Sequence, residues 1–260
     1  MNPTITIATR AARKAGDVIL RSLDKLDSIK ITEKGPNNFV TEIDKASEDA
    51  ILQVIGSAYP THSFLSEESG EIMRQDTDHV WIIDPLDGTT NYIHGYSQYA
   101  VAIALAYKGR IEQGVIYNPI TQDLFTASRG QGAQLNGKRI RVGTRNKLDG
   151  ALISTGVPRS KKFLSHYCAN VEKLHGTVAG LRYSGSTTLD LAYVAAGFLD
   201  AYWTYDTQTW DMAAASLIVR EAGGMVSDVT GGADFLKTGS IVAANPKLIK
   251  PVLQLINPQT

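Results

Sequence analysis

The sequence predicts an α+β first half over 1–145 and an α/β second half over 146–260, folded as two coupled subdomains. Three observations lead there. Two helix-periodic segments precede a long run of strands and tight turns that ends near Asn136-Gly137. From Ala151 onward, short apolar runs alternate with helical patterns. With 260 residues and 43% hydrophobic content, the chain can bury a large core. The seam falls near Thr144–Gly150, and no internal repeat or low-complexity segment interrupts the pattern.

Asn2-Pro3-Thr4 is a helix start, with Pro3 near the first helical position. Ile7, Ala11, Ala15, Val18 and Ile19 then recur at helical spacing. Leu26–Asn38 is polar and is expected to be a loop marked by Gly35-Pro36. A second helix begins near Thr41, with Ile43, Ala46, Ala50, Ile51, Val54 and Ile55 as its apolar stripe. Strands are expected at Ser63–Leu65 and Trp81–Ile83, the second ending at Asp84 because Pro85 cannot donate to a ladder. Ala100–Tyr107 is a continuous apolar run, as in a strand buried on both faces. Gln113–Tyr117 and Leu124–Ala127 follow as antiparallel strands. The Gly-x-Gly around Gln131 lacks the strand–helix context of a dinucleotide site.

In the second half, strands are expected at 151–154, 180–183, 199–205, 225–229 and 240–244. Helices are expected at 165–174, 188–196, 212–222 and 246–256.

Composition excludes several functions. The formal net charge is zero and the sequence pI is about 7.0, so no basic surplus argues for direct nucleic acid binding. The single cysteine, Cys168, permits no internal disulfide and is expected to be a small buried hydrophobe in a reducing cytoplasm. No leader pattern and no membrane-spanning apolar stretch is visible, so a soluble cytoplasmic protein is expected.

The chemistry concentrates in Trp81-Ile82-Ile83-Asp84-Pro85-Leu86-Asp87-Gly88-Thr89-Thr90-Asn91. Two carboxylates at a strand end can point into one small volume, which is costly unless a cation lies between them. The amides of Gly88 and Thr89, if they open a helix, face an anion. A cation site beside an anion site is what metal-assisted phosphate chemistry requires. Taken singly, each acidic residue also has a plainer role: Asp-Gly forms turns, Asp44 suits a helix N-terminus, Glu67-Glu68 a solvated turn, and Asp211 an N-cap. The five histidines show no metal-ligand spacing.

The undecapeptide resembles the signature of the inositol monophosphatase family nearly letter for letter. Val40–Asp44, the pair Glu67-Glu68, and Trp210–Ala214 through Glu221–Gly224 are similar to further family segments in the expected order. The similarity is nearest to bacterial inositol-1-monophosphatases. It implies a layered α-β-α-β-α sandwich of the sugar-phosphatase type and a Mg²⁺-dependent, lithium-sensitive phosphatase using two or three ions. The implied ligand set is Glu67, Asp84 and the Leu86 carbonyl for one ion, and Asp84, Asp87 and Asp211 for a second, about 4 Å away. Hard oxygen donors agree with Mg²⁺ rather than Zn²⁺.

The resemblance further implies that Asp44 orients Thr89, that Thr89 positions the attacking water, and that Glu68 helps hold water. Asp87, Gly88, Thr89, Gly185, Ser186, Thr187 and Asp211 would line the substrate. The loop before Asn38 is, in family members, often mobile and close to the metals. Family inositol phosphatases carry a glutamate seven residues before the second-motif aspartate, where this chain has Thr204. Asp206 is the nearest substitute, if strand alternation gives it the same facing. The missing glutamate leaves inositol, glycerol, sugar and nucleotide monophosphates all open as substrates; the resemblance implies a small phosphorylated polyol or sugar, with inositol-1-phosphate the first expectation. A fructose-1,6-bisphosphatase-like or nucleotide 3′-phosphatase activity is the enzymatic alternative, with Arg159, Lys161 and Lys162 as a possible second phosphate site. The alternative of another class is a regulatory interaction protein in a transcription complex. A homodimer is expected, with a protein partner possible.

Overall fold

The computed structural model describes residues 3–24, 31–35 and 38–256. The first helix, α1 (Pro3–Arg21), buries Ile5, Ala8, Ala11, Ala12, Ala15 and Ile19. Small alanines let it lie close to its neighbours. The next segment departs from expectation. Strands β1 (Ile31–Gly35) and β2 (Asn38–Thr41) pair antiparallel where a loop was predicted. Residues 25–30 and Pro36-Asn37 of that predicted loop lie outside the described residues.

Helix α2 (Glu42–Ala58) is capped by Thr41, whose hydroxyl accepts from the Ile43 amide, while Asp44 accepts from the Thr41 amide. Its buried face includes Asp44, Ser47 and Glu48, and Ala46 is exposed. Counting apolar residues alone had placed the stripe slightly off, because part of the true stripe is polar.

The first sheet has eight strands. In chain order they are β3 (His62–Ser66), β4 (Gly70–Ile72), β5 (Asp76–Asp87), β6 (Ala100–Tyr107), β7 (Arg110–Asn118), β8 (Asp123–Ser128), β9 (Gly132–Leu135) and β10 (Lys138–Arg139). Their spatial order is β10-β9-β8-β7-β6-β5-β3-β4, parallel only between β3 and β5. Strand β5 does not end at Asp84. It pairs with β6 through Asp87, with a register shift between Asp84 and Asp87. Pro85 sits in that irregularity, where the ladder asks nothing of its missing N–H. The short helix α3 (Thr89–Ile93) follows at once.

The second sheet is built from β11 (Leu152–Thr155), β12 (Gly180–Arg182), β13 (Ala201–Thr204), β14 (Met225–Ser227) and β15 (Ile241–Ala244), in the order β12-β11-β13-β15-β14. A 3₁₀ turn at Lys161–Phe163 leads into α4 (Leu164–Leu174). The remaining helices are α5 (Thr187–Ala195), α6 (Thr209–Glu221), α7 (Phe235–Thr238) and α8 (Ile249–Ile256).

Strand alternation sorts the side chains into three cores. Val101, Ile103 and Leu105 of β6 face α1 and α2. Ala100, Ala102 and Ala104 face the other way, onto α5 and α6, and Tyr202, Ile241 and Ala243 of the second sheet meet the same two helices from beyond. Trp203, Val242 and Ala244 face α4 and α8. The result is five layers, α-β-α-β-α. Helix α6 lies so close to the first sheet that a Cβ on Gly114 would stand 2.7 Å from the Ala214 carbonyl oxygen.

Cys168 is exposed rather than buried. On α4 the apolar positions Tyr167, Val171 and Leu174 turn to the core at helical spacing, and Cys168 stands one residue off that stripe.

Candidate active site

The end of β5, α3, and the segments that follow β11, β12 and β13 enclose a cleft of about 540 Å³. The second-sheet contributions come from the carboxyl-end side of β11, β12 and β13, where side chains and amides beyond the ladder are open to a ligand.

Asp84, Asp87 and Asp211 converge there, with one carboxylate oxygen from each within 4.8 Å of the others. All three are buried, and Glu67 lines the same cleft. Asp84 Oδ1 accepts from the Leu86 amide at 3.0 Å. Burial first, then the charges of Glu67, Asp87 and Asp211, hold the Asp84 carboxyl well above the usual carboxylate range. Asp87 is pushed up to about 7 by burial and by Asp211, against the hydrogen bonds that its Oδ2 accepts from Ser186 Oγ (2.5 Å) and the Thr188 amide (2.8 Å). These are hard oxygen donors that ionise only at a cost, and a divalent cation would remove that cost. The donor set fits the metal that the sequence implied.

Asp211 is not the N-cap of α6. The helix starts at Thr209, and Asp211 in its first turn accepts from Thr207 Oγ1 (2.5 Å) and the Gln208 amide (3.0 Å) through Oδ2. Asp44 does the same in the first turn of α2, taking the Thr41 amide at 2.7 Å through Oδ2. In both cases the helix start holds one oxygen. In Asp44 the other oxygen accepts from Thr89 Oγ1 at 2.8 Å. Burial is the main cause that raises the Asp44 carboxyl, and the Thr41 and Thr89 contacts oppose it.

Gly88 adopts φ +92°, a conformation that an L side chain resists. A Cβ there would also meet the Gln98 carbonyl oxygen at 2.8 Å. The bare backbone leaves Gly88 and Thr89 open on the cleft wall.

Gly185, Ser186 and Thr187 line the opposite side. The Ser186 hydroxyl is already committed, to Asp87 and to capping the Leu189 amide at 3.2 Å. Asp206 also lines the cleft, but not by strand alternation, because β13 ends at Thr204. Asp206 has φ +58°, and its Oδ2 accepts from the Ser160 amide at 2.8 Å. Glu68 is not among the residues lining the cleft, and its amide donates to Glu48 Oε2 at 3.0 Å. Of Arg159, Lys161 and Lys162, only Arg159 lines the cleft.

Sequence reasoning missed Asp190, Tyr202 and Thr155 on this wall. Asp190 accepts from Ser154 Oγ at 2.7 Å, and burial pushes its carboxyl up to about 6. Tyr202 pairs its hydroxyl with Thr187 Oγ1 at 2.9 Å. Thr155 Oγ1 is buried without a hydrogen-bond partner among the described residues. The available signal was position for Asp190 and Tyr202, which lie just beyond Thr187 and just before Thr204, whereas nothing in the sequence singled out Thr155.

Two of the histidines stand closer together than their spacing along the chain indicates. His62, Asp76 and His79 bring potential ligand atoms within 4.8 Å of one another. Sequence spacing hid this, because β3 and β5 become neighbours only through the sheet register. Trp81 Nε1 donates to His62 Nδ1 at 3.1 Å. A neutral ring accepting at Nδ1 carries its proton on Nε2 and has no lone pair there for a metal. His79 Nδ1 lies 2.7 Å from Asp76 Oδ2, and the two imidazoles stack at 4.6 Å. The group is a polar stack at the sheet end. The glycine turn around Gln131 joins β8 to β9, and its Gly130 and Gly132 amides donate to the Glu221 carboxylate at 2.8 Å each.

Comparison with known proteins agrees with the geometry. Residues 1–257 match the model of the inositol monophosphatase family. The chain is 50% identical to the protein named Nus factor SuhB of Pseudomonas aeruginosa, over 99% of this chain and 97% of that one. It is similar in structure to the extragenic suppressor protein SuhB of Bartonella henselae, with TM-score 0.96, 40% identity and 99% of each chain covered. It is also similar to the inositol monophosphatase of Anabaena, with TM-score 0.85, 36% identity, and 96% of this chain and 93% of that one covered.

Proposed function

The chain belongs to the inositol monophosphatase family, whose reaction is phosphate-ester hydrolysis, and from that premise we propose a Mg²⁺-dependent phosphatase acting on inositol-1-phosphate. The observation that carries this reading is the convergence of Asp84, Asp87 and Asp211 in one cleft with the hydrogen-bonded pair Thr89–Asp44. Two or three ions are inferred. Glu67, Asp84 and the Leu86 carbonyl would hold one, and Asp84, Asp87 and Asp211 a second. Mg²⁺, when bound, supplies Lewis acidity for a water and countercharge for the departing alkoxide.

The protein's own groups do the rest. Asp44 Oδ1 accepts the hydrogen bond that the Thr89 hydroxyl donates, so the Thr89 lone pairs are left to accept from a water and aim it at phosphorus. Glu68, next to Glu67 but outside the cleft lining, is assigned to helping hold that water. The amides of Gly88 and Thr89 donate to phosphate oxygens. Among the described residues no nucleophilic serine or cysteine constellation stands in the cleft, and a direct attack by water is inferred. Asp87, Asp206 and Asp211, with the backbone of Gly185, Ser186 and Thr187, are the groups assigned to the polyol. Thr204, in place of a glutamate, weakens the grip on inositol hydroxyls. A cytoplasmic homodimer is inferred, and lithium inhibition is expected from the family.

The relatives named Nus factor support a second reading, in which the chain also serves a protein partner in transcription. The retained acidic cluster favours catalysis alongside any such role, since an adaptor gains nothing from buried like charges.

Phosphate release from inositol-1-phosphate, glycerol-2-phosphate, fructose-1,6-bisphosphate and 3′-phosphoadenosine 5′-phosphate tests the proposal, with EDTA and Li⁺ controls. Mg²⁺-dependent turnover, best on inositol-1-phosphate, is expected. A preference for another ester would move the substrate and keep the mechanism. Absence of turnover in folded protein would leave the regulatory reading.

A further inference from the structure

Helix α2 presents three polar side chains inward, Asp44, Ser47 and Glu48, with relative exposures of 1%, 0% and 2%. Their spacing of i, i+3 and i+4 places them on one stripe. Each holds a different segment of the site. Asp44 takes the Thr89 hydroxyl. Ser47 Oγ donates to the Pro85 carbonyl at 2.8 Å, between Asp84 and Leu86. Glu48 lies under the turn that joins β3 to β4. Its Oε2 accepts from the Glu68 amide at 3.0 Å and from Ser66 Oγ, and its Oε1 accepts from Ser69 Oγ. These three donors bracket Glu67, whose own amide donates to the Ile83 carbonyl at 3.2 Å.

A carboxylate buried this deeply is expensive, and an apolar side chain of similar size would be cheaper at the same position. The Asp44 and Ser47 contacts reach residues of the acidic stretch directly. The hydrogen bonds that Glu48 accepts go instead to three members of a four-residue turn whose second member is Glu67.

We propose that Glu48 is a positioning residue that fixes the main chain of the Ser66–Ser69 turn, and so sets how tightly the acidic cluster binds its cation. The inference rests on the reading of Glu67 as a ligand. With the turn held in place, cation binding does not have to order it. With the turn released, that ordering cost appears in the affinity. Partners that orient a ligand from behind change metal affinity by roughly 10–100-fold when removed.

The test is calorimetric titration of Mg²⁺ into the metal-free protein, without substrate. Glu48→Gln keeps the shape and replaces one acceptor oxygen with a donor that faces other donors. Its Mg²⁺ dissociation constant is expected to rise at least about tenfold. Val252→Ala, which opens the third core on α8 away from the cleft, is expected to lower Tm and leave the Mg²⁺ constant unchanged. If Glu48→Gln does not fold, Ser69→Ala carries the same test by removing one donor and leaving the carboxylate, with a smaller rise of a few-fold. A substituted protein that loses Tm while binding Mg²⁺ as wild type does would reduce Glu48 to a structural prop and overturn the inference alone. Failure of the wild-type protein to bind Mg²⁺ would overturn the metal reading and this inference with it.

Discussion

Replacing Asp84 with asparagine should make the metal-free protein more stable while abolishing its activity. Asp84 is 1% exposed, and one oxygen from each of Asp84, Asp87 and Asp211 lies within 4.8 Å of the others. Two unit charges at that separation repel by about 3–4 kcal/mol at an effective dielectric constant of 20. Protonation already relieves part of this, since Asp84 is held well above the usual carboxylate range. The remaining gain from Asp84→Asn is on the order of 1–3 kcal/mol. The asparagine oxygen can still accept from the Leu86 amide, so the local backbone has no reason to move. In a chain of this size each kcal/mol is worth roughly 2–4 °C, giving a Tm increase in EDTA of roughly 2–12 °C. In Mg²⁺ the ranking changes. Wild type gains about 2.7 kcal/mol at a hundredfold excess over its dissociation constant, and the variant loses that increment together with turnover. Thermal melts in EDTA and in Mg²⁺, run beside phosphate release, measure all three quantities. A variant less stable than wild type in EDTA, or one that keeps the full Mg²⁺ increment, would refute the electrostatic reasoning. Unchanged kinetics would sink the ligand assignment.

Thr89→Ala is expected to lower kcat by roughly 10²–10⁴-fold with little change in KM, and Thr89→Ser to recover most of it, because only the hydroxyl held by Asp44 matters; steady-state kinetics at saturating Mg²⁺ decide this. The stabilisation by Mg²⁺ should grow between pH 5 and 8. Asp87 at about 7, and Asp84 above the usual range, have folded values above the unfolded 3.8, so the metal-free fold binds the extra protons and loses stability as pH rises through those values, while the cation competes with the same protons. Reading the Tm gap between Mg²⁺ and EDTA at each pH cancels His62, whose lowered value acts in the opposite direction in both conditions. A gap that shrinks with pH would contradict the assignment. Gly114→Ala should destabilise by about 1–3 kcal/mol, because its Cβ would stand 2.7 Å from a backbone oxygen of α6 and push the helix off the sheet; urea denaturation measures the loss.

Much of the architecture was legible because it is local. Ala100–Tyr107, the Asn136-Gly137 hairpin and the alanine-rich helix before Gly223 carry their periodicity and turn chemistry within a few residues. Errors arose where a signal depended on something elsewhere. Pro85 reads as a strand end, yet β5 continues because the irregularity opposite β6 accommodates a residue without an N–H. Ala46 fits an apolar stripe that in fact runs through Asp44, Ser47 and Glu48, because the core face of α2 meets a polar site. Cys168 has a composition typical of cores and stands on the wrong side of α4.

The sequence by itself determined most of the helices and the longer strands, the order of the acidic segments and the family to which they belong, since these depend on neighbours along the chain and on motifs that survive as strings. Only the tertiary structure decided that Asp84, Asp87 and Asp211 share one small volume, that Asp87 is tied across the layers to Ser186 and Thr188, and that Glu48 lies beneath the Glu67 turn. Sheet register and burial set those distances and the local dielectric, and a carboxylate's charge is a property of that environment rather than of its place in the chain.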